Sequence, residues 1–190
     1  PVSGRDLMLA IDISKSMDHQ IRHNSSSVSR ITATKAVASS FIEKRVGDRI
    51  GLILFADQAY VQTPLTFDRQ TVEKLLLEAV LGLAGEKTAI GDAIGLSVKR
   101  LKNQSSASSA KPSNSKVIIL LTDGENTAGE VEPLQAAKLA EKIGAKIYTV
   151  GIGADEMIVR GFFGNRRVNP SASLDEETLT AIADTTGGLY

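Results

Sequence analysis

Cysteine is absent from this chain of 190 residues. Disulfide bonds and thiolate metal sites are therefore excluded, although a protein without cysteine suits the cytosol and the periplasm equally well. A net charge is also absent, because 22 basic residues balance 22 acidic ones. Without a field of one sign, the composition does not favour nucleic acid, an anionic membrane or a polycationic partner, so function must come from local sites.

Long apolar runs are missing as well. The longest, such as residues 117–121, have the length of a strand and fall far short of the roughly 18 to 20 residues that a membrane-spanning helix needs. With 42% hydrophobic residues the chain can form the core of one domain, which we expect to cover residues 1–190. The sequence starts at Pro1 without a methionine and stops at Tyr190, just after a Gly-Gly pair where a further strand could begin. We therefore expect a piece cut from a longer protein, its last strand truncated.

Four short apolar runs predict buried strands at residues 7–11, 50–55, 117–121 and 146–150. An apolar repeat of three to four residues predicts helices at 32–45, 67–80, 90–101 and 133–143. In the first of these helices, the residues at helical spacing are Ala36, Val37, Ser40, Phe41 and Lys44. A last helix follows a capping box formed by Ser173 and Glu176 and closes before Gly187. Residues 60–63 are typical of a short antiparallel edge strand.

The alternation of strands and helices predicts a doubly wound, Rossmann-like α/β fold. We expect a mostly parallel six-stranded sheet with helices on both faces and one short antiparallel edge strand. In the common strand order 3-2-1-4-5-6, the first and fourth strands are neighbours where the order reverses, which is where such sheets bind ligands. Asp12 ends the first strand and Asp123 follows the run 117–121. Both carboxylates should therefore meet in one crevice.

The stretch "DISKS" at residues 12–16 places Asp12, Ser14 and Ser16 at alternate positions. In an extended segment, alternate side chains point the same way, so one carboxylate and two hydroxyls can face a common centre. Hard oxygen donors with few carboxylates suit Mg²⁺, and Mn²⁺ on the same grounds. The same residue types also occur in helix caps and turns, so the motif alone is equally compatible with a purely structural cap or turn. The second carboxylate, Asp123, favours the metal.

Three segments together resemble the von Willebrand factor type A domain and its metal-ion-dependent adhesion site. They are "DISKS" (12–16), "TAIGDAI" (88–94) and "ILLTDGEN" (119–126). The residues that match the family's metal-site motif are Asp12, Ser14, Ser16, Thr88 and Asp123. Lys15 stands where the family often has glycine, at a variable position. Residues 48–57, 115–153 and 174–190 resemble the Bat branch, bacterial membrane-anchored proteins linked to aerotolerance.

The resemblance implies a role for each of these residues. Ser14, Ser16 and Thr88 would ligate Mg²⁺ directly or nearly so, while Asp12 and Asp123 would act directly or through water. A Glu or Asp of a protein partner would complete the octahedron, so the domain would be a binding module and not an enzyme. The resemblance further implies a parent protein anchored in the bacterial inner membrane, with this domain in the periplasm. Other Bat proteins and a MoxR-type AAA+ ATPase would be its partners.

One enzyme alternative uses the same crevice. Mg²⁺ with Asp12 as a phosphoryl acceptor or water activator would give a phosphoryl-transfer enzyme or a hydrolase. That chemistry needs a second acid near the nucleophile and a phosphate-binding Lys or Ser on its own loop, whereas hydroxyls at 14 and 16 suit metal ligation better. His19 and His23 have a metal-compatible spacing but lack a third ligand.

Two segments interrupt the regular pattern. Residues 103–115 are rich in serine and predict a surface loop. Residues 154–172 are too long for an ordinary connection and predict a hairpin or a rim insertion, in which Phe162 and Phe163 either pack or contact a partner.

Overall fold

The structure is a computed structural model and describes residues 4–23, 26–105, 115–153, 157–161, 164–168 and 174–190. The strands are β1 (Arg5–Asp12), β2 (Gln20–His23), β3 (Ser26–Ser29), β4 (Arg49–Phe55), β5 (Ala59–Thr66), β6 (Ser115–Thr122), β7 (Ala145–Gly151), β8 (Met157–Gly161) and β9 (Gly164–Val168). The helices are α1 (Arg30–Glu43), α2 (Arg69–Leu77), α3 (Ile90–Ser105), α4 (Pro133–Lys142) and α5 (Glu176–Thr186). A single 3-10 turn, Lys15–Asp18, follows β1.

The main sheet has the order β5-β4-β1-β6-β7. All neighbours are parallel except β5, which runs antiparallel to β4 at the edge. Numbered among themselves, these strands lie in the order 3-2-1-4-5, so the predicted reversal point between β1 and β6 is confirmed. The α/β fold, the mostly parallel sheet and the antiparallel edge strand are confirmed too.

The predicted count of six strands is wrong for the part of the chain that the structure describes, where the main sheet has five. The residues after α5 run beside β7, and the Leu189 carbonyl accepts a hydrogen bond from the Thr149 N–H at 3.0 Å. One such bond does not make a ladder, because a strand pair requires a repeating pattern of them.

Helix ends follow local capping chemistry. The N-cap of α5 is Asp175, whose side chain accepts a hydrogen bond from the Thr178 N–H at 2.9 Å. The predicted cap at Ser173 is therefore wrong. Ser173 itself lies outside the described residues. Gly187 ends this helix with φ of 69°, a left-handed conformation that glycine adopts without a steric penalty. The predicted stop before Gly187 is therefore confirmed.

The hydrophobic core has one layer on each face of the sheet. Because successive residues of a strand point to opposite faces, β1 supplies Met8 and Ala10 to the layer under α3, α4 and α5. It supplies Leu7, Leu9 and Ile11 to the layer under α1 and α2. β1 is thus buried on both sides, which fixes where its carboxyl end emerges.

The buried face of α1 differs from the row that the sequence spacing selects. Of that row, Val37 is 58% exposed. The helix instead buries Arg30, Ile31, Thr34, Ala38 and Ile42. Four of these residues lie four apart, on one stripe that runs back to the first residue of the helix. The hydrophobic spacing selected the wrong row of residues, because the first two residues of the buried stripe, an arginine and a threonine, are polar.

Two small antiparallel hairpins lie outside the main sheet. β2 pairs with β3 between the 3-10 turn and α1. β8 pairs with β9, which confirms a hairpin within 154–172; Phe162 and Phe163 lie outside the described residues. Of the predicted loop 103–115, residues 106–114 lie outside them too, while α3 continues through Ser105. Within the described segments, no helix is both long and apolar enough to cross a membrane.

Candidate metal centre

The candidate site lies at the carboxyl ends of β1 and β6. These strands pair in parallel up to Ile11 opposite Leu121, so the residues that follow leave the sheet side by side. Asp12 is the last residue of β1, and Asp123 comes directly after β6. Both side chains are fully buried. The crevice expected from the sequence therefore exists and holds both carboxylates.

Both oxygens of Asp12 accept hydrogen bonds. The Ser14 N–H donates to Oδ1 at 2.8 Å, and the Thr122 hydroxyl donates to Oδ2 at 2.6 Å. The Gly124 N–H in turn donates to the Thr122 hydroxyl at 3.3 Å. The turn after each strand thus orients the carboxylate of Asp12.

Hydroxyl groups connect the two halves of the site. The Thr88 hydroxyl donates to Ser14 Oγ at 3.3 Å, and Ser14 Oγ lies 3.0 Å from Ser16 Oγ. The Ser16 hydroxyl then donates to Asp123 Oδ1 at 2.8 Å. The structure therefore brings all five residues selected from the sequence into one group, which we call the hydroxyl-carboxylate cluster: Asp12, Ser14, Ser16, Thr88 and Asp123.

Thr88 reaches the cluster because its backbone is fixed from the loop after β6. Its N–H donates to Thr127 Oγ1 at 3.0 Å, and its carbonyl accepts from the Thr127 N–H at 2.9 Å. Next to it, the Ile90 N–H donates to Asn126 Oδ1 at 2.8 Å at the start of α3. The loop that carries Thr88 and the loop that follows Asp123 are therefore joined to each other.

Two residues of the site, Thr122 and Arg30, were not predicted from the sequence. Arg30 Nη1 donates to Asp123 Oδ2 at 2.6 Å, and the side chains of this ion pair are 1% and 0% exposed. Arg30 had no sequence signal, because the buried stripe of α1 that it begins is visible only in the structure. Thr122 had no signal beyond its position before Asp123.

Burial dominates the electrostatics of Asp12. Desolvation raises the pKa of the Asp12 carboxyl from 3.8 to about 6, against the opposing effect of the hydrogen bonds from Ser14 and Thr122. The nearby charge of Asp123 adds to the rise. A positive charge beside Asp12 would favour its ionised form.

A divalent cation fits this donor set. Among the described residues, every hydrogen-bond donor to the Asp12 carboxylate is neutral, so a cation would supply the charge that its burial calls for. Three hydroxyls and two carboxylates are hard oxygen donors of the kind that Mg²⁺ and Mn²⁺ accept. The described residues contain no group of three or more His, Cys, Asp or Glu side chains that could hold a metal, and the cluster itself has two carboxylates and three hydroxyls.

An exposed ion pair lies beside the cluster. Lys15 Nζ lies 3.3 Å from Glu86 Oε1, with the two side chains 74% and 73% exposed. In the same loop, the Gly82 N–H donates to the Ile13 carbonyl at 3.1 Å and ties the loop to the turn after β1. Lys15 is therefore engaged at the rim and is not part of the cluster.

The model of the von Willebrand factor type A domain matches residues 6–187. An uncharacterized protein from Borreliella burgdorferi is 30% identical over 192 residues, which are 99% of this chain and 53% of that protein. The chain thus spans about half the length of the curated relative it matches.

Solved structures are similar as well. An uncharacterized membrane-spanning protein from Vibrio fischeri is 53% identical, with a TM-score of 0.52 over 98% of this chain and 89% of its own. An aerotolerance-related membrane protein from Bacteroides fragilis is 27% identical, with a TM-score of 0.77 over 98% and 90% of the two chains; BatB from Bacteroides thetaiotaomicron gives the same identity and score over 98% and 89%. Proximal thread matrix protein 1 from the mussel byssus, with a zinc-occupied adhesion-site motif, shares the fold at 22% identity and a TM-score of 0.67 over 98% and 41%.

Proposed function

The chain belongs to the von Willebrand factor type A domain family, and on that premise we propose that it is a metal-dependent protein-binding module. The ligands of the cation would come from the hydroxyl-carboxylate cluster. The metal would be Mg²⁺, with Mn²⁺ accepted by the same donors.

The observation that carries the proposal is a fully buried Asp12 whose hydrogen-bond donors are all neutral among the described residues, next to a row of three hydroxyls. Ser14, Ser16 and Thr88 would offer neutral oxygens. Asp12 and Asp123 would supply the negative charge, directly or through water. A bound cation would supply an electrophilic coordination position, because neutral hydroxyls leave it more of its charge than carboxylates do.

A partner carboxylate is the ligand that such a position selects. A Glu or Asp side chain is a hard oxygen donor with the opposite charge. The similarity to aerotolerance-related membrane proteins supports a parent protein that is anchored in the bacterial inner membrane, with this domain in the periplasm. Other Bat proteins and a MoxR-type AAA+ ATPase are the partners that we propose, on the grounds of family resemblance.

The enzyme alternative requires a carboxylate that is free to act. Both oxygens of Asp12 already accept hydrogen bonds, and Asp123 is paired with Arg30. Lys15, the cation next in sequence to the site, is paired with Glu86 at the rim. These contacts favour binding over phosphoryl transfer. Phosphatase or phosphotransfer turnover that disappears in Asp12→Asn would overturn this choice.

Calorimetric titration with Mg²⁺ and with Mn²⁺ tests the metal centre. We expect one site in the wild-type chain and no binding in Asp12→Asn, which keeps the size of the side chain but removes its charge. Asp6→Asn is the matched control, since Asp6 is a largely buried carboxylate at the other end of the same strand. Equal binding by wild type and Asp12→Asn would remove the metal-site proposal.

A second experiment tests the partner. Acetate, as the simplest carboxylate, should bind to the Mn²⁺-loaded protein and should not bind after EDTA treatment. Acetate binding that is independent of the metal would contradict the role of a coordinated carboxylate while leaving the metal site itself intact.

A further inference from the structure

Resting on the proposed metal centre, we propose that Arg30 is a positioning residue that sets the charge of this site. Its guanidinium holds one oxygen of Asp123 and offsets one of the two carboxylate charges of the cluster. A cation in the cluster would then keep more of its own charge for the carboxylate of a partner.

The backbone of Arg30 is fixed by its position at the first residue of α1. Its N–H donates to the His19 carbonyl at 2.9 Å, and its own carbonyl accepts from the Thr34 hydroxyl at 2.8 Å. Ser29 caps the helix by accepting from the Thr32 N–H at 3.3 Å. The side chain therefore starts from a rigid point and reaches the loop after β6, 93 residues away in sequence.

The orientation of Asp123 follows from its two contacts. Oδ2 accepts from Arg30 and Oδ1 accepts from the Ser16 hydroxyl. The oxygen bound to Arg30 is engaged in a charge-assisted hydrogen bond, which is stronger than a bond between neutral groups. With Oδ2 bound to Arg30, Oδ1 is the Asp123 oxygen that would face a cation in the cluster.

Stability alone does not explain a buried arginine here. The other residues on its stripe are Thr34, Ala38 and Ile42, so the stripe can be occupied by residues without charge. A buried ion pair is weak evidence for stability, because desolvation of both charges can exceed their attraction. The guanidinium is, however, in the right place to act on the charge of the cluster.

The charge count gives the direction of the effect. The buried region holds two carboxylates, Asp12 and Asp123, and one guanidinium, which contacts Asp123, while the hydroxyls are neutral. Removal of the guanidinium leaves both carboxylate charges to attract a metal. The cation should then bind more tightly, and its attraction for a further carboxylate should weaken because less of its charge remains.

Another Arg–Asp pair in the same domain provides the control. Arg49 Nη2 lies 2.7 Å from Asp6 Oδ2 at the amino end of the sheet, with side chains that are 24% and 6% exposed. Asp6 and Arg49 are partners in the β1–β4 ladder, at the end of β1 opposite to Asp12. Arg49→Gln therefore removes the same chemistry far from the cluster.

Calorimetry with Mn²⁺ alone tests the proposal on wild type, Arg30→Gln, Arg30→Lys and Arg49→Gln. We expect Arg30→Gln to bind Mn²⁺ roughly ten-fold more tightly and to bind acetate more weakly once loaded. Arg30→Lys should restore both values toward wild type, because it restores the charge, and Arg49→Gln should change neither. Wild-type affinities for Mn²⁺ and acetate in folded Arg30→Gln would overturn the proposal and reduce Arg30 to a structural role.

A double-mutant cycle in EDTA separates the two proposals. Arg30→Gln, Asp123→Asn and the double variant are unfolded by denaturant without metal, so the contact between Arg30 and Asp123 is measured whether or not the site binds a cation. A clear coupling energy supports the positioning of Asp123, and additive losses overturn it. A wild-type chain that shows this coupling but binds no Mn²⁺ would contradict the proposed function and, with it, the charge-setting role, while the held orientation of Asp123 would stand.

Discussion

Two Arg–Asp pairs lie at opposite ends of the same sheet, and they differ in what surrounds them. Arg49 and Asp6 are ladder neighbours on adjacent strands, and Arg49 is 24% exposed. Arg30 and Asp123 come from a helix and a loop and are 1% and 0% exposed, and Asp123 also accepts from the Ser16 hydroxyl of the hydroxyl-carboxylate cluster. The register of adjacent strands explains the first pair, and for the second we propose a role in the metal centre. The same two residue types thus have a structural role at one end and a proposed functional role at the other.

The largest difference between the two pairs should be the free energy of unfolding that is lost when each arginine is replaced. Arg30→Ala leaves the buried Asp123 without this cation, so we expect it to lower the free energy of unfolding in EDTA by about 3 to 5 kcal/mol. Arg49→Ala should cost about 1 kcal/mol, because the partly exposed pair is screened by water. Urea denaturation of both variants measures the difference, and equal losses would contradict it.

The two ends should also respond differently to pH. Burial, as the main cause, raises the pKa of Asp12 to about 6 in the metal-free protein, above the value of 3.8 for an unperturbed carboxyl. The folded protein therefore binds a proton that the unfolded chain releases, so stability from this group is complete below pH of about 4 and is lost as the pH rises through about 6. The loss should approach about 3 kcal/mol.

Denaturation between pH 4 and pH 7 in EDTA measures this slope. Asp12→Asn should abolish it, whereas Asp6→Asn should leave it unchanged. Saturating Mg²⁺ should reduce it at the upper end of the range, because a cation favours the ionised carboxylate. A slope that survives in Asp12→Asn would assign the effect to another group.

The hydrogen bond from Thr122 to Asp12 should contribute more than a similar bond elsewhere. Thr122→Val removes a donor to a buried carboxylate and should cost about 1.5 to 3 kcal/mol at neutral pH. Thr149 is the matched control, since it is also buried in a strand but donates to a neutral carbonyl, that of Leu179, at 2.9 Å. Thr149→Val should cost about 1 kcal/mol. The reverse ranking in thermal or chemical unfolding would contradict the charge assigned to Asp12.

The exposed pair Lys15–Glu86 should have the smallest effect on stability. Both side chains are mostly in water, where the attraction between charges is weak. Glu86→Gln should leave the unfolding curve within error of wild type, and it should alter only the rate at which an acidic partner associates, because Lys15 is then free to attract it. Stopped-flow association at low and high salt checks this; a large stability loss would show a structural role for the pair.

The sequence was sufficient for the parts of the molecule that repeat a pattern. Apolar runs predict β1, β4, β6 and β7, because strands buried on both faces need continuous hydrophobic residues. Strand order follows from the connections, and it places Asp12 next to Asp123. The spacing of "DISKS" selects Ser14 and Ser16, and the resemblance to the family selects Thr88. The structure brings all three into the same cluster.

The remainder depends on contacts between distant segments, which no local pattern contains. Arg30 donates a hydrogen bond to Asp123, which is 93 residues away in sequence. The hydrophobic spacing instead selected the row of α1 that contains Val37, which is exposed. The hairpin β2–β3 was not predicted, because its residues are polar and carry few strand signals. A sixth strand was expected from the fold pattern, whereas in the described residues after α5 a single backbone hydrogen bond, from the Thr149 N–H to the Leu189 carbonyl, connects the chain end to β7.

The most direct test of the metal centre is a crystal structure of the Mn²⁺-soaked protein with anomalous scattering measured for manganese. We expect one strong anomalous peak within ligating distance of the Ser14 and Ser16 hydroxyls, between Asp12 and Asp123, and we expect this peak to be lost in crystals of Asp12→Asn. A peak elsewhere, or no peak in wild-type crystals soaked at saturating Mn²⁺, would contradict the proposed metal centre.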